Sequence, residues 1–85
     1  MLSLSVRGDI REPAEIEPGA WYRVYKDGQE VDFLKFVFIR QDPEFDVPMG
    51  YACRNRYDQL EAIQLRPFLR KYAVVPDNGV PVRPA

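Results

Sequence analysis

The stretch Trp21-Tyr22-Arg23-Val24-Tyr25-Lys26-Asp27-Gly28-Gln29-Glu30-Val31-Asp32-Phe33-Leu34 decides the fold. Asp27-Gly28 is a favoured pair for a two-residue type I′ turn, because both central positions of that turn need positive φ. The runs on either side are rich in aromatic and β-branched residues, so a β-hairpin is predicted. An unbroken ladder from that turn sets Lys26 opposite Gln29, Tyr25 opposite Glu30, Val24 opposite Val31, Arg23 opposite Asp32 and Tyr22 opposite Phe33. One face then collects Tyr22, Val24, Val31 and Phe33. The other pairs Arg23 with Asp32 and Tyr25 with Glu30, with Trp21 near Leu34. Pattern and turn agree on one apolar and one charge-paired face. A structure with Arg23 and Asp32 on opposite faces would overturn this register.

Beyond Asp32 the strand runs on as Phe33-Leu34-Lys35-Phe36-Val37-Phe38-Ile39 and loses its alternation. Both faces then read as apolar, which suits a central strand covered on both sides. Burial inside the monomer is the favoured expectation, and a homodimer through strand 33–39 is the other cover for such a surface.

Outward from the hairpin, Leu2-Ser3-Leu4-Ser5-Val6 alternates as a half-buried strand should, and residues 9–20, with Pro13 and Pro18-Gly19, read as a loop. Residues 41–49 form a second loop, and Gly50 to Arg56 reads as a strand with Tyr51 and Cys53 on its inward face. Asp58-Gln59-Leu60-Glu61 resembles a capping box and favours a helix over 58–66 that Pro67 ends; alternation of Ile63, Leu65 and Leu69 offers a strand as the rival. Tyr72 to Val75 reads as a last strand. A domain over 1–75 and an extended, proline-containing tail over 76–85 are expected. The fold class is mainly β: a small, strongly bent antiparallel sheet or SH3-like barrel of four to five strands with at most one short helix. In size and strand spacing the chain resembles small SH3-like barrels.

Composition narrows the chemistry. The 85 residues contain no histidine and a single cysteine, Cys53, so the commonest general base, most zinc sites and any internal disulfide framework are excluded. No apolar run approaches a membrane span and no signal peptide is read, so a cytoplasmic location without membrane or cofactor is expected. Arg54 and Arg56 near Cys53 would lower a thiol pKa, but without a base to pair with it a buried, inert thiol is the better reading. Asp42, Glu44 and Asp46 start like a calcium loop, but Val47 and Cys53 stand where that loop needs glycine and glutamate. No catalytic or metal residues are assigned, and the protein is expected not to be an enzyme.

Two surfaces remain. Phe45, Val47 and Met49 alternate with the loop carboxylates and form an apolar stripe with an acidic rim, a pattern suited to a protein partner. Residues 1–50 carry six basic and ten acidic side chains, whereas residues 51–85 carry six basic and three acidic. In the second part Arg54, Arg56, Arg66, Arg70 and Lys71 interleave with Tyr57, Phe68 and Tyr72, which suits nucleic acid. The sequence pI of about 5.3 is low for that role. The primary expectation is therefore a non-enzymatic protein-interaction module, and more narrowly a phage- or mobile-element-type inhibitor or accessory factor. Nucleic-acid binding through residues 54–72 is the alternative.

Overall fold

A computed structural model describes residues 8–55, 59–79 and 81. Five antiparallel strands form one sheet in the order β4-β3-β2-β1-β5: β1 Trp21–Lys26, β2 Gln29–Gln41, β3 Pro48–Cys53, β4 Glu61–Gln64 and β5 Ala73–Pro76. One short helix, α1 Leu65–Lys71, links β4 at one edge to β5 at the other. Strands β4 and β5 remain separate edges, so the expected small sheet is present and the barrel is not closed. The buried cluster packs the inner face of the sheet against α1 and the 10–20 segment: Leu34, Phe36, Tyr22, Val24 and Ala52 meet Leu65, Leu69, Ile10 and Ile16. The Tyr22 hydroxyl accepts from the Glu17 amide at 2.8 Å, so its burial leaves no unsatisfied polar atom. Edge strand β5 is partly covered, because the Ile10 amide donates to the Val74 carbonyl at 2.7 Å.

The hairpin is formed on its expected turn, with Asp27 and Gly28 at φ 54° and 81°. Its register differs. Lys26–Gln29 and Tyr25–Glu30 pair as expected, but Val24 then pairs with Asp32, Arg23 with Phe33 and Tyr22 with Leu34. Val31 is the extra residue of a β-bulge and is 52% exposed. Because side chains alternate with period two, that one residue inverts every assignment beyond it. Phe33 leaves the inner face, Leu34 and Phe36 enter it, and Arg23 and Asp32 fall on opposite faces, so the unbulged register is wrong.

A second bulge accounts for the lost alternation in 33–39. Phe36 pairs with Ala52 and Phe38 with Tyr51, leaving Val37 unpaired and 43% exposed. The inner positions run Leu34, Phe36, Ile39 and the outer ones Phe33, Lys35, Phe38, Arg40. Strand β2 is central in the sheet, as expected, but its two faces are not both covered: Phe38 stays 42% exposed.

Strand β3 also corrects the expected inward set. Gly50 and Ala52 point inward, while Tyr51 shares the outer face with Phe38. Gly50 is required by a close approach rather than by φ, since a Cβ there would lie 2.5 Å from the Phe36 ring and 2.9 Å from Leu65. Cys53 is buried, opposite Lys35.

The helix begins where it was expected to end. Residues 61–64 are strand, and Pro67 sits in the first turn of α1, where a missing N–H breaks no intrahelical bond. Leu65 and Leu69, four apart, bury the inner side of that helix. Past β5 the chain turns back on β1, with the Asp77 amide donating to the Trp21 carbonyl at 3.1 Å. The strand expected over 2–6, the Asp58 cap and tail positions 80 and 82–85 lie outside the described residues.

Candidate functional site

The outer face of the sheet is built from a three-residue unit used three times: Trp21-Tyr22-Arg23, Phe33-Leu34-Lys35 and Phe38-Ile39-Arg40. In each, an aromatic residue precedes a cation by two positions, so in a strand both share one face. The bulges at Val31 and Val37 set the parity so that all three units point outward. Antiparallel pairing then sets Trp21 opposite Lys35 and Arg23 opposite Phe33. The rings of Trp21 and Phe33 meet on the diagonal, stacked at 5.0 Å between centroids with 11° between planes. Arg23 lies 5.3 Å from the Phe33 centroid and Lys35 Nζ 5.3 Å from that of Trp21.

The arrangement repeats toward the far end of β2. Phe38 and Tyr51 stack at 4.5 Å with 16° between planes. The Arg40 guanidinium lies 5.5 Å from the Tyr51 centroid and donates to its hydroxyl at 3.2 Å and 3.3 Å. Met49 pairs with Arg40 and continues the same face. The face carries two stacked aromatic pairs flanked by three cations.

Electrostatics separate those cations. Arg23 bridges Glu30 and Asp77, both at 3.0 Å, and the Glu30 hydrogen bond chiefly raises its pKa. Arg40 is raised chiefly by its hydrogen bond to Tyr51. Neither Arg40 nor Lys35 forms a salt bridge among the described residues.

The expected site residues distribute differently. Phe45 stands at the tip of the β2–β3 turn and is 65% exposed, while Val47 and Met49 are half-buried. The carboxylates of that turn build it: Asp42 Oδ1 accepts from the amides of Glu44 and Phe45 at 2.7 Å and 2.9 Å, and Asp46 takes φ 56°. Met49 thus joins the outer face, with Phe45 beyond its end.

The basic set is not one surface. Arg54 donates to Asp32 through Nε and Nη2 at 3.0 Å and 2.9 Å, and to Glu61 through Nη1 at 2.6 Å. Those bonds, Asp32 first, raise its pKa strongly. Arg66 pairs with Glu12 at 3.4 Å, Arg70 is exposed on α1, and Lys71 lies 5.4 Å from the Tyr72 ring centroid. Arg56 and Tyr57 lie outside the described residues. The Arg23–Asp77, Arg54–Asp32 and Arg66–Glu12 pairs each join the acidic part of the chain to the later part. The fold therefore ties the two parts of the chain together through these three pairs.

On the other side of the sheet a cleft of about 420 Å³ opens between the hairpin, β4 and α1. Val24, Ile63 and Phe68 give it apolar walls, and Lys26, Tyr72 and the Arg54 network border it.

Of the outer-face residues, Trp21, Arg40 and Tyr51 were not assigned to any site by sequence, and Phe33, Lys35 and Phe38 entered only as part of the strand 33–39 offered as a homodimer surface. The recurring aromatic–x–cation unit is the signal that marks three of the pairs. Comparison with protein-family models, curated proteins and solved structures finds no match.

Proposed function

We propose that the protein is a non-enzymatic interaction module that docks a protein partner on the outer face of its sheet. The observation that carries this reading is the pair of aromatic stacks on that face, Trp21–Phe33 and Phe38–Tyr51, with Phe38 exposed and the other three rings half-buried among the described residues, edged by Lys35 and Arg40. Trp, Tyr and Arg dominate the energetics of protein interfaces because they combine large apolar area with a polar handle. Lys35 and Arg40 ask for carboxylates beside the apolar contact. The partner is thus a protein with an apolar patch bordered by acidic side chains.

A nucleic acid fits less well. Base stacking needs open ring faces, and here the rings face each other and their cations. Arg23, Arg54 and Arg66 are held by carboxylates of the same chain, which removes three cations from any phosphate-binding set. The absence of histidine supports a role outside catalysis.

The test is capture from the native source with the intact chain and with a Trp21→Ser/Phe38→Ser variant of unchanged circular dichroism. A partner held by the first and lost by the second, with at least tenfold weaker binding in purified form, supports the proposal. Equal retention by both removes it. Salt-dependent oligonucleotide shifts confined to the outer face would replace it with the nucleic-acid reading.

A further inference from the structure

The two edges of the sheet are finished differently. On β5 the outward Val74 carbonyl is taken by the Ile10 amide at 2.7 Å. On β4 the hydrogen-bond parity of the ladder leaves groups unused. Alternate residues of a strand turn their N–H and C=O to the same side. The Asp42 amide donates to the Val47 carbonyl at 2.7 Å, so Asp42, Arg40 and Phe38 address β3, and Met49 and Tyr51 address β2. The Gly19 amide on the Phe36 carbonyl, at 2.8 Å across the Val37 bulge, gives the same count from the other end. Gly50 and Ala52 therefore address β4, where they pair with Ile63 and Glu61. Ala62 and Gln64 turn their backbone groups away from the sheet. Gln64 is the N-cap of α1, and its carbonyl opens the helical ladder. The Ala62 N–H and C=O and the Gln64 N–H remain. None of the three has a hydrogen-bond partner among the described residues, and both residues are exposed.

The same edge is a wall of the inner cleft. Glu61, Ala62 and Ile63 border it, with Phe68 of α1 opposite. Its volume of about 420 Å³ leaves room for a large side chain. The charged residues that line it are Lys26 and Arg54 against Asp32 and Glu61, two of each sign among the described residues. An uncharged side chain enters without disturbing that balance, whereas a charged one brings an uncompensated desolvation cost. In a strand added beside β4, the residue in register with Ile63 falls on the inner face, at the mouth of this cleft.

We infer that β4 takes an extended segment of the protein partner as a sixth strand, with one uncharged apolar side chain of that segment lodged against Ile63 and Phe68. This rests on the proposed docking role only in taking a protein as partner; the edge and the outer face are separate contacts. The segment's backbone satisfies Ala62 and Gln64, and the residues on either side of the lodged one emerge on the outer face. A second copy of this chain fits less well. Symmetric antiparallel pairing through Ala62 and Gln64 sets Ile63 in register with its counterpart. Ile63 is packed against its own core and cannot fill a neighbour's cleft.

The experiment is a titration of the full chain with the capped peptide acetyl-Thr-Thr-Leu-Thr-Thr-amide, followed by amide chemical shifts. Saturating shifts at Ala62 and Gln64 are expected, with a dissociation constant on the order of 1 mM for three hydrogen bonds and one lodged side chain. Aspartate or lysine in place of the leucine should weaken binding by about tenfold. N-methylation is placed either on the leucine or on both adjacent threonines. Only one of these two peptides should lose about tenfold, because the N–H groups of a paired strand alternate. Ala62→Pro removes an N–H that gives no bond to β3, and should weaken binding by about tenfold with unchanged circular dichroism. If that variant fails to fold, the methylated peptides read the same hydrogen bonds on the unaltered chain. Equal binding of both methylated peptides overturns the inference, as does the absence of saturation at Ala62 and Gln64 up to about 20 mM peptide. Self-association of the intact chain that Ala62→Pro abolishes also overturns it and gives the edge to a second copy. The Trp21→Ser/Phe38→Ser variant should bind the peptide as the intact chain does. A loss there moves the peptide to the outer face, which overturns the edge and keeps the docking role. Failure of the capture experiment with this titration intact does the reverse.

Discussion

Arg40 and Arg54 lie at the two ends of the same β2–β3 ladder and live under opposite conditions. Arg54 is gripped by Asp32 and Glu61 and ties β2 to β4 across β3. Arg40 lies against the ring and hydroxyl of Tyr51, feels the charge of Asp42 and forms no salt bridge among the described residues. The same residue type therefore serves inside the fold at one end and remains available to the outside at the other. Phe36 and Phe38 repeat the contrast two residues apart on one strand: Phe36 is fully buried and Phe38 is 42% exposed. A bulge at Val37 separates them. Apolar and cationic residues on this chain acquire a role from parity, not from type.

The comparison breaks first at the phenylalanines. Phe36→Ala should cost about 3–5 kcal/mol in urea unfolding, enough to unfold much of a domain this small, because the cavity lies between the sheet and α1. Phe38→Ala, on the outer face, should cost no more than about 1 kcal/mol, the worth of an aromatic pair. Equal losses at the two positions would show that the outer face is covered. Gly50→Ala sharpens the inner side from β3. The added Cβ meets the Phe36 ring and Leu65, and overpacking should cost about 1–3 kcal/mol with the same unfolding slope. A cost near zero would mean that the sheet and α1 are not packed as closely as described.

The arginines give the smallest effect. Arg54→Met should lower stability by about 1 kcal/mol, since its pairs are partly exposed and the two carboxylates are left facing each other. That loss should shrink in high salt. Arg40→Met should stay within about 0.5 kcal/mol, as surface substitutions do, while weakening partner binding. The sign of pH dependence follows from the raised Arg54 pKa. Its contribution is complete below the ordinary guanidinium value and is lost only as pH rises through the higher folded value, so alkali up to pH 10 leaves it intact. Thermal scans at pH 7 and 10 that lost the wild-type advantage over Arg54→Met would contradict the geometry of this network.

Much of the strand content was legible. Asp27-Gly28 carries its own conformational demand and forms the turn as read. The last strand also follows from local composition, and so does the loop over 9–20 apart from a single 3-10 turn at Pro13–Glu15. The short helix was displaced because Pro67 reads as a stop and yet is tolerated in a first turn. Of the site residues, Phe45, Val47 and Met49 were singled out from spacing alone, whereas Phe33 and Phe38 looked like core and Trp21 stood on the charge-paired face without a role. A bulge leaves no mark in composition, so the aromatic–x–cation units were visible but their direction was not.

By itself the sequence determined that this is a small β-rich chain hung on a type I′ hairpin, without histidine and with charges in near balance. Those properties are local or additive, and need no partner strand. Tertiary structure decided which side of each strand faces water, which arginines are neutralised and that the sheet stays open. The physical reason is the period of two: one unpaired residue at Val31 and another at Val37 invert the faces, and only packing against Tyr22, Val24, Ala52 and α1 selects where those residues fall.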